Sequence, residues 1–263
     1  MELGLGGKVA LVAASSRGLG RAIAAELAAE GASLILCART EDAVQRAASE
    51  IGDTTGAPVL AIAADVSRRE DIDRLIAAAL DRFERIDVLV TNAGGPPSGP
   101  FESLEPPMWD AAYRLTLQSA VELTRCVLPG MKERRWGRIL NVTSITVKQP
   151  VDNLMLSNSL RAAVTGFART LATEVAPFGI TVNNLLPGYT RTDRVVELAE
   201  ATARREGITA DAVQGRIASQ IPMGRLGEPR EFAALAAFLA SERASYITGQ
   251  SVAVDGGWIR SLY

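Results

Sequence analysis

Short apolar runs alternate with helix-length segments along almost the whole chain, and this alternation restricts the fold more than any other feature. Val9 to Ala13 (VALVA) is an uninterrupted apolar run, the composition of a strand covered on both faces. Arg21 to Gly31 follows as a helix, with Ile23 and Leu27 four apart on one face and Gly31 as its stop. The pairing then repeats. Ser33 to Cys37, Val59 to Ala63, Asp87 to Val90, Arg138 to Val142, Ile180 to Leu185 and Ser251 to Val254 read as further strands. Glu41 to Ile51, Asp71 to Phe83, a long segment from the Gly94 to Pro107 loop through Leu128, and Leu156 to Val175 read as the helices between them. Strands separated by helices cannot pair as hairpins, so the pattern predicts a parallel sheet with helices on both faces. No repeat, low-complexity tract or linker interrupts it, so residues 1–263 are expected to form one domain.

One segment breaks the alternation. Residues 191 to 222 read as two short helices around Gly207, with Thr209 as N-cap of the second. They follow the sixth strand at its carboxyl end, where open α/β sheets bind ligands, and are expected to form a lid. The run Phe232 to Leu239 and the tail Trp258, Ile259, Leu262 and Tyr263 fit either subunit contacts or ordinary core and a loose end.

The bulk properties exclude several classes. A net charge of −2 offers no basic surface for nucleic acid or an anionic membrane. No apolar stretch approaches the ~20 residues that span a bilayer, and the first residues carry no signal-peptide pattern. Cys37 and Cys126 have no metal-like or CxxC spacing and read as free thiols, as expected of a cytoplasmic protein. No metal site is expected. The absence of histidine removes the commonest general base from any mechanism.

The first strand runs into Ala13-Ala14-Ser15-Ser16-Arg17-Gly18-Leu19-Gly20 and directly into a helix. Gly18 and Gly20 let backbone approach a ligand, and the helix N-terminus offers free N–H groups to a pyrophosphate. The second strand ends in Arg39, with no acidic residue to hold the ribose 2′-OH of NAD. Arg17 and Arg39 suit a 2′-phosphate, so NADP(H) is the expected cofactor, with NAD as the alternative if Arg39 is only an exposed cation.

These residues resemble the TGxxxGxG turn of the short-chain dehydrogenase/reductase family, with Ala13 and Ala14 in place of Thr-Gly. The resemblance continues in order through Asp65-Val66, Asn92-Ala93-Gly94, Ser144, Ile180 to Asn183, Pro187-Gly188 with Thr190 and Thr192, and Thr248-Gly249 to Asp255-Gly256-Gly257. The chain is similar to 3-oxoacyl-carrier-protein-reductase-like members along essentially its whole length. The resemblance implies a Rossmann-type, doubly wound three-layer α/β/α fold of seven strands, and a homo-oligomer, dimer or tetramer. It implies cofactor contacts from Ser15, Ser16, Arg17, Gly18, Leu19, Gly20, Arg39, Asp65, Val66, Asn92, Ala93, Gly94, Arg161, Pro187, Gly188, Thr190 and Thr192.

The catalytic positions depart from the family. Members reduce a carbonyl with Ser, Tyr and Lys, helped by an Asn on the preceding long helix. Ser144 fits the serine, but Ser157 stands in the Tyr place, Arg161 in the Lys place of YxxxK, and Thr116 in the Asn place. A serine hydroxyl is a far weaker acid than a phenol of pKa about 10 and is several ångströms shorter. Arg161 stays protonated and relays no protons, although its fork still suits ribose hydroxyls. Ser144, Ser157, Arg161 and Tyr189 are therefore the candidate catalytic residues, with Lys148, Asp152 or a water held by the two serines as other proton sources. Two readings follow. One is an NADP(H)-dependent oxidoreductase acting on a small carbonyl or alcohol with an atypical site. The other is a cofactor-binding protein without turnover.

Overall fold

The computed structural model describes residues 2–262, apart from the side chains of Arg194, Leu198, Ala201 and Arg205. Seven strands form one parallel sheet: β1 (Val9–Val12), β2 (Ser33–Ala38), β3 (Val59–Ala63), β4 (Val88–Thr91), β5 (Gly137–Val142), β6 (Ile180–Pro187) and β7 (Ser251–Val254). Their order is β3-β2-β1-β4-β5-β6-β7, every pair parallel, so the sheet is doubly wound as expected. The direction of winding reverses between β1 and β4, and a crevice opens there at the carboxyl ends of the strands.

Helices cover both faces. α1 (Gly18–Ala29) and α2 (Glu41–Thr55) pack on one side with α9 (Pro229–Ala240). α3 (Arg69–Phe83), α5 (Ser119–Arg134) and α6 (Met155–Val175) pack on the other. Between α3 and α5 lies α4 (Pro106–Tyr113), and beyond β6 lie α7 (Asp193–Glu206) and α8 (Ala210–Ala218). Phe232, Ala233, Ala236, Ala237 and Leu239 of α9 are buried against the sheet, so the run from 232 to 239 is core. On α6, Val164 and Leu171 are buried and Leu160 and Phe167 are partly so, which makes one apolar face of this helix. None of the described helices is long and apolar enough to cross a membrane.

Several boundaries differ from the expected ones. α1 begins at Gly18 rather than Arg21, which puts the glycine turn inside the helix's first turn. α2 runs on to Thr55, and the long helix expected after the Gly94 to Pro107 loop is broken by one π-helical turn at Arg114–Gln118. Such turns insert one residue into a helix and occur often at functional sites. Asp87 precedes β4 rather than opening it, because its side chain has another task.

That task is a staple at the amino edge of the sheet. The fully buried Asp87 carboxylate accepts the backbone N–H of Val9 at 3.0 Å and the Arg85 guanidinium at 2.8 Å, and lies 3.4 Å from Arg134 Nε. Removing one member of a buried ion cluster strands the others and costs about 3–5 kcal/mol. We expect Asp87→Ala to lose about that much stability in chemical denaturation; a loss below about 1 kcal/mol, the ceiling for exposed pairs, would show the cluster to be solvated.

Candidate functional site

The first turn is built largely from its own backbone. Ser15 N–H donates to Cys37 O at 3.0 Å and its hydroxyl donates to Val12 O at 2.8 Å, so this fully buried side chain braces the turn from within. Gly20 leaves no room for a side chain: a Cβ there would lie 2.3 Å from Ala14 O and 2.8 Å from Asn92 Nδ2. Ala14 sits at φ 49, in the left-handed region where a methyl costs about 1–2 kcal/mol. The turn therefore keeps a glycine-like conformation although the residue is alanine, and the substitution appears as strain rather than as a displaced loop. Arg17, the residue before α1, makes no side-chain cap, so the first N–H groups of the helix remain available to an anion. Ser16 and Gly18 face a surface cleft of about 760 Å³ that Arg17, Arg21 and Arg46 also line.

The remaining expected cofactor residues converge on the same edge. Asn92, which follows β4, donates from Nδ2 to Ala14 O at 3.3 Å and so ties the ends of β1 and β4 together. Ala93 is half-buried and Gly94 exposed beside it. Asp65 accepts the Ser67 N–H and hydroxyl at 2.9 and 2.7 Å, which holds the turn from β3 into α3, and Val66 is buried there. Leu19 packs into the core beneath the turn. Arg39 is exposed at the tip of β2. Pro187 ends β6, and Thr190 is buried with its hydroxyl donating to Gly188 O at 3.3 Å. The Thr192 methyl lies over Gly18, so the first residues of the α7–α8 excursion touch the phosphate turn. A second contact joins them: Arg17 Nη1 is 3.3 Å from Glu197 Oε1 of α7. The expected Thr209 cap is present, its hydroxyl accepting the Ala212 N–H at 3.1 Å.

The catalytic candidates gather at the ends of β5 and β6. Ser144 directly follows β5, and its Oγ accepts the Thr146 N–H at 3.1 Å. With one lone pair occupied by that N–H, the hydroxyl still has its proton to donate. Ser157 and Arg161 lie one turn apart near the start of α6, both half-buried. Arg161 Nη1 donates to the carbonyls of Val142 and Thr143, at 2.9 and 2.8 Å. It thus clamps the two residues immediately before Ser144. Arg161 also borders a small pocket of about 20 Å³, shared with Asn92, Thr116, Ser119 and Thr143 and large enough for one water. Thr116 sits in the π-helical turn, and its buried hydroxyl has no hydrogen-bond partner among the described residues.

Tyr189 is half-buried just past β6, and burial alone pushes its phenol above the ordinary value. Among the described residues no neighbouring cation draws the phenol down toward neutrality, as an activated proton donor requires. Lys148 and Asp152 are exposed on the loop between β5 and α6. Cys37 is fully buried and its thiol is pushed up to about 12 by burial, so it stays protonated.

Two features of this edge carry no local signature. One is a polar ladder inside the sheet: Thr91 donates to Asn141 at 2.7 Å, Asn141 to Asn184 at 3.1 Å, and Asn184 to Ser251 at 3.1 Å. It crosses β4 to β7 directly beneath the site. The other is the segment after β7, where Trp258 packs against Tyr189.

Comparison with known proteins places this arrangement among reductases. The family described as enoyl-(acyl carrier protein) reductase matches residues 13–259. A 3-oxoacyl-[acyl-carrier-protein] reductase of Vibrio cholerae is 37% identical over 255 residues, covering 97% of this chain and 98% of its own. D-beta-hydroxybutyrate dehydrogenase of Cupriavidus necator is 36% identical over 257 residues, 97% of this chain and 99% of its own. Among solved structures, L-sorbose reductase of Gluconobacter frateurii, complexed with NADPH and L-sorbose, superposes with a TM-score of 0.97 at 35% identity, covering all of both chains.

Proposed function

Because this chain belongs to the short-chain dehydrogenase/reductase family, we propose that it is an NADP(H)-dependent oxidoreductase of a small carbonyl or alcohol. In its site, Ser157 stands where the family carries a phenol, beside the family serine Ser144. The observation that carries the reading is the first turn, with its close-packed Gly20, its uncapped helix start and its flanking Arg17 and Arg39. That cradle fits a pyrophosphate with a 2′-phosphate beside it. The NADPH in the sorbose reductase relative supports the same cofactor. When bound, the nicotinamide gives or takes the hydride.

The chain's own residues do the rest. Ser144, held through Oγ by Thr146 N–H, donates a hydrogen bond to the carbonyl oxygen and polarises it while keeping its proton. Ser157, on the neighbouring helix, would hold with Ser144 a water that gives a proton to the nascent alkoxide, and bulk solvent reprotonates the hydroxide left behind. Arg161 fixes the strand end that presents Ser144 and lends its fixed charge to that oxygen. Tyr189 is a wall of the pocket rather than its acid.

The test is a panel of small ketones and diketones with NADPH, followed by a pH profile on whichever is reduced. Neither serine hydroxyls nor a guanidinium titrate near neutrality. Tyr189, raised by burial, stays a neutral phenol throughout. We therefore expect kcat to be flat between about pH 6 and pH 9. We expect Tyr189→Phe to cost less than the ~10²–10⁴-fold of a lost proton donor. A profile falling through an acidic group in that window, abolished by Tyr189→Phe, would return the phenol to the role of acid.

A further inference from the structure

Beyond β7 the chain turns at Asp255 and runs back across the carboxyl edge of the sheet. The Asp255 carboxylate accepts the Gly257 N–H at 3.0 Å and the Ile259 N–H at 2.8 Å, which fixes the turn. Gly188 lets the turn seat closely on the end of β6: a Cβ there would lie 2.6 Å from Asp255 Cα. Trp258 then meets Tyr189 edge to face, with ring centroids 6.0 Å apart and planes at 77°. Two residues further, the Arg260 N–H donates to Gln149 Oε1 at 3.2 Å, in the loop after β5. On the other flank the Met223 N–H, past α8, donates to Gly256 O at 3.2 Å.

One short segment therefore ties together the loops that follow β5, β6 and α8. Those loops lie at the carboxyl ends of the strands, the edge where Ser144 and Ser157 also lie. A strap stitched at both flanks and along its middle is a rigid boundary, and its bulkiest inward contact is an indole against the one phenol of the site. Among the described residues Trp258 is the aromatic partner of Tyr189, so it sets the tilt of that ring.

We propose that Asp255 to Arg260 is a fixed wall of the substrate pocket and that Trp258, by packing on Tyr189, is the residue that limits substrate bulk, so that the pocket takes compact ketones. The proposal rests on the oxidoreductase reading above. It deepens that reading by naming what selects among carbonyls, since a rigid apolar wall discriminates by steric exclusion.

The probes are diacetyl and its phenyl analogue, in which one methyl is replaced by a phenyl ring while the reacting diketone is kept. In Trp258→Ala, the ratio of kcat/KM for the phenyl compound to that for diacetyl is expected to rise by at least about tenfold, the scale on which apolar pockets discriminate by size. Trp258→Phe is expected to recover most of the wild-type ratio. NADPH affinity, measured alongside, reports whether each variant is folded. A ratio unchanged within about twofold in a folded Trp258→Ala is well below that scale and overturns the proposal.

A second measurement needs no turnover. Fluorinated tryptophan at the three Trp positions, assigned by single Trp→Phe variants, is followed by fluorine NMR as diacetyl is added to the NADP⁺-loaded protein. The Trp258 line is expected to shift. The Trp136 line, at the amino edge where β5 begins, is expected to stay. A Trp258 line that does not move while diacetyl saturates the protein overturns the proposal. Failure of the oxidoreductase reading is a separate result: no reduction of either diketone although the Trp258 line moves.

Discussion

Ser157→Tyr combined with Arg161→Lys is expected to raise carbonyl reductase activity by about 10²-fold or more, the lower end of what a positioned general acid contributes. Ser157 is half-buried near the start of α6, one helical turn from residue 161. A phenol at 157 extends several ångströms further than the serine does. A lysine ammonium at 161 lies close enough to favour the phenolate and so lowers the phenol below its usual 10. The sign of the pH dependence follows. In the reducing direction the phenol must be protonated, so the gained activity is present at low pH and is lost as pH rises through the lowered pKa. The wild type, with nothing to titrate, is flat across the same range. The single variant Arg161→Lys is expected to lose activity, because the shorter side chain with one nitrogen cannot both reach the Val142 and Thr143 carbonyls and present a second nitrogen to the site as the guanidinium fork does. If the double variant binds NADPH and a ketone yet stays at the wild-type rate, the position given to residue 157 in the pocket is wrong.

Arg17→Ala with Arg39→Ala is expected to weaken NADPH binding by about 100-fold and to change NADH binding far less. A hydrogen bond to a charged group contributes about 1.5–3 kcal/mol. Both arginines are exposed, which screens them and places each near the bottom of that range. Two such losses amount to about 3 kcal/mol, or two powers of ten in affinity. Arg17 also pairs with Glu197, so the 2′-phosphate competes with that carboxylate, and the NADPH preference is expected to shrink as salt rises. Calorimetry with both coenzymes checks this. Equal losses for NADPH and NADH would mean that the arginines shape the turn rather than read the phosphate.

Much of this architecture was legible in the sequence because it rests on local chemistry. Apolar runs such as VALVA at 9–13 are buried on both faces, and Thr209 caps α8 as its spacing predicts. The order of the glycine turn, Asn92 to Gly94 and Pro187-Gly188 predicts one shared edge, and the fold brings these residues to the carboxyl ends of β1, β4 and β6. What remained hidden depends on partners far apart in the chain. Asp87 reads as the first residue of a strand, and only the fold brings it to Val9, Arg85 and Arg134. Arg161 reads as a ribose ligand, yet one of its nitrogens is already bonded to the end of β5. Ser15 reads as a phosphate contact, yet its hydroxyl is turned into the turn it stabilises. Gln149 and Arg260 are 111 positions apart, and no periodicity links them. Thr116 stands at the Asn position by register alone. The sequence carries no signal for the π-helical turn that leaves its hydroxyl beside a water-sized cavity. Leu262 is exposed, and Tyr263 lies outside the described residues, so the tail's expected part in subunit contacts rests on the resemblance alone.

The central claim is that a glycine-like turn built on a strained alanine, flanked by two arginines, grips a nicotinamide coenzyme bearing a 2′-phosphate. Isothermal titration of the wild-type protein with NADPH and, separately, NADH tests it most directly. The account predicts saturable binding of NADPH, at least about tenfold tighter than NADH, consistent with one charge-assisted contact to the extra phosphate. No heat with either coenzyme, at concentrations that saturate the relatives, would contradict it.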